Sequence, residues 1–289
     1  MKLRTPRLRP RPARAAVAAR LREDAARATA RPLRRWAWAG AALGALAAAV
    51  AFLPATWLAG QVAGWTGQRV LLAQASGTVW SGEATLVLTG GRDSRDATML
   101  PGRLRWRVRP ALAGWRLELQ QDCCLNGTVA LRISPGIART EVELLPKPGW
   151  LGQWPSALLS GLGTPWNTLQ LGGAIQLSSP GLRLVQAAGR WSVEGRAEVL
   201  MLNATSPLVT LEQLGSYRLA LFSTPEGRVQ TTLETTEGPL QLQGEGTLGP
   251  AGLHFRGEAW AAPGEESALN NLLNIIGRRQ GERSLISIG

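Results

Sequence analysis

Between Arg35 and Arg69 the chain carries no charged residue. Residues 36–53 are an unbroken run of Ala, Leu, Val, Phe, Gly and Trp, and extending it through Pro54 to Leu58 gives 23 residues. As a helix rising ~1.5 Å per residue this segment reaches ~35 Å, enough to cross a hydrocarbon core of ~30 Å with some tilt. Trp36 and Trp38 stand at one boundary and Trp57 at the other, where interfacial indoles prefer to lie. A membrane-spanning helix over 36–58 is therefore expected; a helix buried in a soluble core seldom runs so far without a charge. Gly40, Gly44 and Ala48 recur every four residues. Small residues at that spacing let two helix backbones approach closely, so this face is the candidate for helix pairing.

The flanking charges give the span a direction. Residues 1–35 hold 12 Lys/Arg and two acids, whereas the remaining 254 residues hold 20 basic and 18 acidic groups. The net charge of +12 thus belongs to a tail. A basic tail before the span stays cytoplasmic and sends the rest across. A cleaved signal peptide is the competing reading, but its basic region would be unusually long and no A-x-A site follows the apolar run. The expected organisation is a basic, largely disordered cytoplasmic tail (1–35), a single inner-membrane span (36–58) and a periplasmic β-rich domain (59–289). Pro6, Pro10 and Pro12 discourage helix in the tail. A body so nearly balanced in charge argues against nucleic acid as a partner.

Past the span the apolar residues alternate with polar ones. Residues 116–120, 128–133, 169–177, 240–243 and 253–259 each keep a two-residue period, the mark of strands with one buried face. The 34 glycines and 18 prolines punctuate them at Gly90-Gly91, Asn126-Gly127, Pro135-Gly136, Gly172-Gly173, Pro180-Gly181, Glu226-Gly227, Glu237-Gly238 and 249–252. The expected fold is mainly β, an antiparallel curved or sandwich-like sheet with one short C-terminal amphipathic helix. In that helix Leu269, Leu272, Leu273 and Ile276 form one apolar stripe, with Ser267 placed to cap it and Gly277 to end it. The stripe either docks on its own domain or receives a partner. The 12 tryptophans supply large apolar area, and those beyond the span are expected mostly in the core.

Catalytic chemistry finds few groups. His254 is the one histidine, and Cys123 and Cys124 are the two cysteines. That inventory starves a zinc site and offers one imidazole to any triad. The adjacent cysteines could form a vicinal disulfide, bridge two chains or stay as thiols; no C-x-x-C motif is present. Acid pairs occur at Glu141/Glu143 and Glu265/Glu266, for which solvation is the ordinary explanation. No G-x-x-x-x-G-K-[ST] loop is present to bind a nucleotide. No enzymatic activity is expected.

Five phrases, in order after one N-terminal span, resemble the type II secretion system protein N family. They are Gly77-Thr78-Val79-Trp80-Ser81-Gly82; Leu100-Pro101-Gly102-Arg103-Leu104-Arg105-Trp106; Leu214-Gly215-Ser216-Tyr217-Arg218-Leu219; Thr236-Glu237-Gly238-Pro239-Leu240 with Gly244-Glu245-Gly246; and Phe255-Arg256-Gly257-Glu258-Ala259. The resemblance covers nearly all of residues 37–289. It implies a non-enzymatic, bitopic inner-membrane accessory of the apparatus that moves folded periplasmic proteins through the outer membrane. Its implied partners are the membrane and other secretion components, with no cofactor. The family's strand-rich body is also similar to AsmA-like proteins, which are associated with lipid handling, so a lipid-binding or lipid-transfer module is the alternative. The physical role implied is tethering, which raises the local concentration of envelope components around the anchored domain.

Overall fold

The computed structural model describes residues 36–187, 190–224, 228–249 and 252–289. The basic tail and the turn signals at Glu226-Gly227 and Pro250-Ala251 lie outside these. The chain divides into two compact units, 1–53 and 54–289. The described part of the first is a helix, α1 (36–51), whose side chains are exposed. A Cβ placed on Gly40 or Gly44 would meet nothing within 4 Å, so the small-residue face is open.

A second helix, α2 (Ala55–Trp65), begins directly after Pro54, which is extended at φ −70° and ψ 149°. The continuous helix expected over 36–58 is therefore interrupted. Pro54 has no N–H for the i→i−4 ladder, and its ring crowds the preceding turn. Ala55 and Leu58 pack with Ala84, Leu72 and Trp106, so the end of the apolar run belongs to the folded domain. Trp57 lies in α2, half exposed. Among the described residues no helix is long and apolar enough to cross a membrane.

The second unit is built on one 16-stranded antiparallel sheet. Its strands are β1 (Val70–Gly77), β2 (Ser81–Thr89), β3 (Ala97–Met99), β4 (Leu104–Ala111), β5 (Gly114–Gln121), β6 (Val129–Pro135), β7 (Arg139–Leu144), β8 (Trp150–Pro155), β9 (Gly172–Ala187), β10 (Arg190–Thr205), β11 (Gly215–Ser223), β12 (Val229–Glu237), β13 (Leu240–Gly249), β14 (Gly252–Ala261), β15 (Arg278–Gln280) and β16 (Arg283–Ile288). Neighbours in sequence are mostly neighbours in the sheet, ordered β1-β2-β4-β5-β6-β7-β9-β10-β11-β12-β13-β14-β16-β15, with β3 beside β2 and β8 beside β9. The strands are hydrogen-bonded into one continuous sheet. A short helix, α3 (Trp166–Leu169), follows a 3-10 turn over Ser156–Leu162.

Register turns the two-residue period into two unlike faces. Val108, Leu117, Leu131, Leu144 and Leu182 stand opposite one another from β4 to β9. One residue away, on the reverse face, the row reads Arg109, Arg116, Arg132, Glu143, Arg183 and Glu194. The C-terminal strands repeat the pattern: Leu219, Leu233, Gly244, Gly257 and Ile286 on one side, Arg218, Glu234, Gln243 and Glu258 on the other. A register slip of one residue would exchange the faces, so the pattern fixes the pairing.

Helix α4 (Glu266–Ile276) covers the C-terminal end of the apolar face. Leu269, Leu272 and Leu273 are fully buried against Tyr217, Leu240 and Ala259. Each leucine contributes about 1.5–3 kcal/mol by leaving water, and the Ser284 hydroxyl donates to the Leu273 carbonyl at 2.6 Å. The stripe offered as a partner face is thus consumed by the chain's own core, with Ile276 packed at its margin. Ser267 is not the cap. The helix starts one residue earlier, and the Glu266 carboxylate accepts the Gly264 N–H at 3.0 Å.

Candidate functional site

The phrases that carried the resemblance come together as three packing devices. The first is a clamp on the β1–β2 hairpin. Trp106, from the second phrase, is buried at 5% exposure and donates its Nε1–H to the carbonyls of Thr78 and Val79, 3.2 and 3.1 Å away. Its ring fills the space a side chain at Gly82 would need: a Cβ there would lie 2.5 Å from the indole. Arg103 donates to the Gln74 carbonyl at 2.9 Å and pairs with Glu83 at 3.4 Å, fastening the same hairpin from outside.

The second device joins the third and fourth phrases. The Tyr217 hydroxyl points between the carbonyls of Leu214 and Leu240, 3.1 Å from each. Burial raises its pKa above the ordinary phenol value, so it stays a neutral donor. Gly215 (φ +143°) and Gly238 (φ +117°) meet backbone to backbone beside it, in conformations that favour glycine. Tyr217→Phe leaves both carbonyls without that donor; we expect a loss of about 1–2 kcal/mol in denaturant unfolding of the full chain in detergent. In the third device Gly244 and Gly257 make room for the Phe255 ring, which a Cβ on Gly244 would strike at 2.4 Å.

The reverse face carries paired charges. Arg132 and Arg183 share Glu143 at 3.1 and 3.4 Å, Arg139 holds Glu141 at 2.7 Å, and Arg218 bridges Glu198 and Glu234 at 3.5 and 2.8 Å. The acid pair Glu141/Glu143 is therefore engaged in ion pairs. These pairs are solvent-exposed and each is worth well under about 1 kcal/mol, so Arg218→Ala should leave stability nearly unchanged. Two polar concavities lie on this face. The larger, about 980 Å³, is lined by Glu234, Gln243, Glu258, Trp260 and Arg278 among others. Among the described residues no cluster of His, Cys, Asp and Glu could hold a metal ion.

Cys123 and Cys124 are bonded to each other, with Cα atoms 3.7 Å apart. Of the tryptophans expected mostly in the core, Trp80, Trp150, Trp154 and Trp260 are half-buried. Trp106 is the buried one among the described side chains, while Trp65, Trp115 and Trp166 are exposed, like Trp36 and Trp38 on α1. Trp80 and Trp115 pack ring to ring, centroids 5.1 Å apart, and Arg283 lies over Trp260. Composition signals indole area but not which face or strand end it occupies.

No curated protein and no solved structure matches the chain. The family model for type II secretion system protein N does match, over residues 68–286. That stretch begins just before β1, ends within β16 and contains all three devices, so the chain belongs to the type II secretion system protein N family.

Proposed function

We propose that the protein is a non-enzymatic, single-pass inner-membrane component of the type II secretion system. Its β domain stands in the periplasm and tethers or stabilises other components there. The family match over 68–286 carries this reading. The charge distribution supports the anchor: a tail with 12 basic residues and two acids precedes a charge-free stretch. With Pro54 ending the helical run, the anchor is residues 36–53, about 27 Å long as a helix. Trp36 and Trp38 would sit at the cytoplasmic interface, and Gly40, Gly44 and Ala48 would be the face for pairing with another span. The exposed ion-pair face suits partners that assemble and part, since it offers many weak polar contacts and no dry core. Deleting the gene should lower export of secreted enzymes, or the levels of neighbouring components, and restoring the full chain should recover both. Unchanged secretion with unchanged component levels would refute the proposal.

A lipid-handling role is the second reading, favoured by one observation. The helices that cover the apolar face pack at its ends, α2 on β1 and β2, α4 on β14–β16. Val108, Leu117, Leu131, Leu144 and Leu182, in between, are half-buried. Acyl chains would fit so charge-free a row. Mass spectrometry of the purified full chain should then find bound phospholipid that survives exchange into a lipid-free detergent, and its absence would remove this reading.

A further inference from the structure

The apolar side chains left fully in water are not scattered. Leu112, in the turn joining β4 to β5, and Ile137, in the turn joining β6 to β7, are both completely exposed. Strands β5 and β6 are paired, with Trp115 opposite Ile133, so these turns are neighbours. They touch closely enough that a Cβ on Gly114 would collide with the Ile133 carbonyl and meet Pro135. Behind the tips lie Trp115, 36% exposed, and its ring partner Trp80 from the β1–β2 turn. All three turns are at the same end of the sheet, because Ser81 pairs with Arg107 and Ala111 with Gly114.

Two further observations say what these tips face. On the polar side, Arg109, Arg116 and Arg132 stand directly opposite one another across three strands. Like charges so placed repel, and the acids paired with the row are two: Glu118, 3.1 Å from Arg116, and Glu143, 3.1 Å from Arg132 and shared with Arg183; Glu141 on the same face is held by Arg139. The row therefore keeps an excess of guanidinium, the group best suited to phosphate. At this same end the chain enters the domain: Pro54 bridges to Thr78 in the β1–β2 turn.

We infer that this end of the sheet docks on the bilayer that holds the N-terminal anchor, with Leu112 and Ile137 inserted among the acyl chains. Trp80 and Trp115 sit at headgroup level and the Arg109–Arg116–Arg132 row binds anionic phosphates. The occupant is a membrane because the tips are bare aliphatics beside indoles and a row holding more guanidinium than carboxylate, the composition of an interfacial anchor. The choice of bilayer rests on the anchor reading, since Pro54, at this end, directly follows the residues read as the anchor. Docking would fix the strands upright on the membrane and present the ion-pair face sideways to partners.

The test uses the full chain in nanodiscs of phosphatidylcholine alone or mixed with phosphatidylglycerol, with a benzophenone amino acid replacing Leu112, Ile137 or, as a control, exposed Met99 in β3. Lipid adducts should form from positions 112 and 137 and not from 99. Phosphatidylglycerol should raise their yield, and Arg109→Gln should reduce that gain by about fivefold, the effect of one cation near an anionic surface. Adducts at 99 equal to those at 112 and 137, adducts to protein alone, or none would overturn docking. Resistance of the chain to carbonate extraction is scored in the same samples and reports the anchor. Extraction with adducts retained would sink the anchor and leave the tip standing; resistance without adducts would do the reverse.

Discussion

Trp106→Ala lowers the stability of the sheet domain by about 3–5 kcal/mol, or roughly 6–20 °C in Tm for a domain of this size. The loss has three sources that can be separated. The indole fills the space between Ala55 and Ala84 in a small cluster under α2, so its removal leaves a cavity the hairpin cannot close. Its Nε1–H serves the carbonyls of Thr78 and Val79 in a turn also held by the Thr78 N–H bond to the Ser81 carbonyl, 2.9 Å, the Ser81 N–H bond to the Thr78 hydroxyl, 3.2 Å, and the Val108 N–H bond to the Trp80 carbonyl, 2.7 Å. It also occupies the notch that Gly82 leaves open. Trp106→Phe keeps most of the area and loses the hydrogen bonds, so it should cost about 1–2 kcal/mol. Gly82→Ala should be harmful alone and somewhat less so on top of Trp106→Ala, because the clash with the indole is then relieved while the Ser76 and Thr78 carbonyls, 2.7 and 2.9 Å from the added Cβ, still oppose it. Thermal unfolding of the detergent-solubilised full chain, followed by near-ultraviolet circular dichroism, measures all four variants. A Trp106→Ala protein as stable as the parent would remove the clamp.

Leu273→Asp is expected to be equally severe, at about 5 kcal/mol or more, because it adds an unpaired carboxylate to the cost of an emptied leucine site. The same substitution distinguishes two uses of the α4 stripe. Had that stripe served a partner, an acid there would abolish an interaction and leave the fold intact. With Leu269, Leu272 and Leu273 buried against Tyr217, Leu240 and Ala259, the domain itself must melt. Ile275→Asp, one turn-face away and 43% exposed, is the control and should shift stability by under about 1 kcal/mol. Equal effects from Leu273→Asp and Ile275→Asp would contradict the packing described here.

The alternation that marked the strands was legible because it is a local property of the chain. Residues 116–120, 240–243 and 253–259 fall within strands, as do 128–133 apart from Thr128 and most of 169–177. Two turn signals misled for a reason that lies outside local sequence. Gly172-Gly173 opens β9, and Pro180-Gly181 lies inside it. At 179–181 the neighbour of β9 on one side changes from β8 to β7, and a register shift interrupts its pairing with β10. The missing N–H of Pro180 therefore costs no ladder bond, and the Ser179 hydroxyl restores continuity by donating to the Arg196 carbonyl at 2.6 Å. The end of the first helix is hidden similarly. Pro54 can close a span or start a folded domain, and only the packing of Ala55 on Ala84 decides. The phrases of the family resemblance were visible as strings, while their pairing through Trp106 and Tyr217 spans 28 and 23 residues of sequence, a distance no local pattern encodes.

We propose that the sheet domain stands on the far side of the membrane from the basic tail. Protease added to intact spheroplasts, with immunoblotting for an epitope after Gly289 and another after Met1, tests it directly. The account predicts that the C-terminal epitope is lost without lysis while the N-terminal one survives on a short membrane-bound fragment. A C-terminal epitope protected until lysis would put the sheet in the cytoplasm and contradict the account.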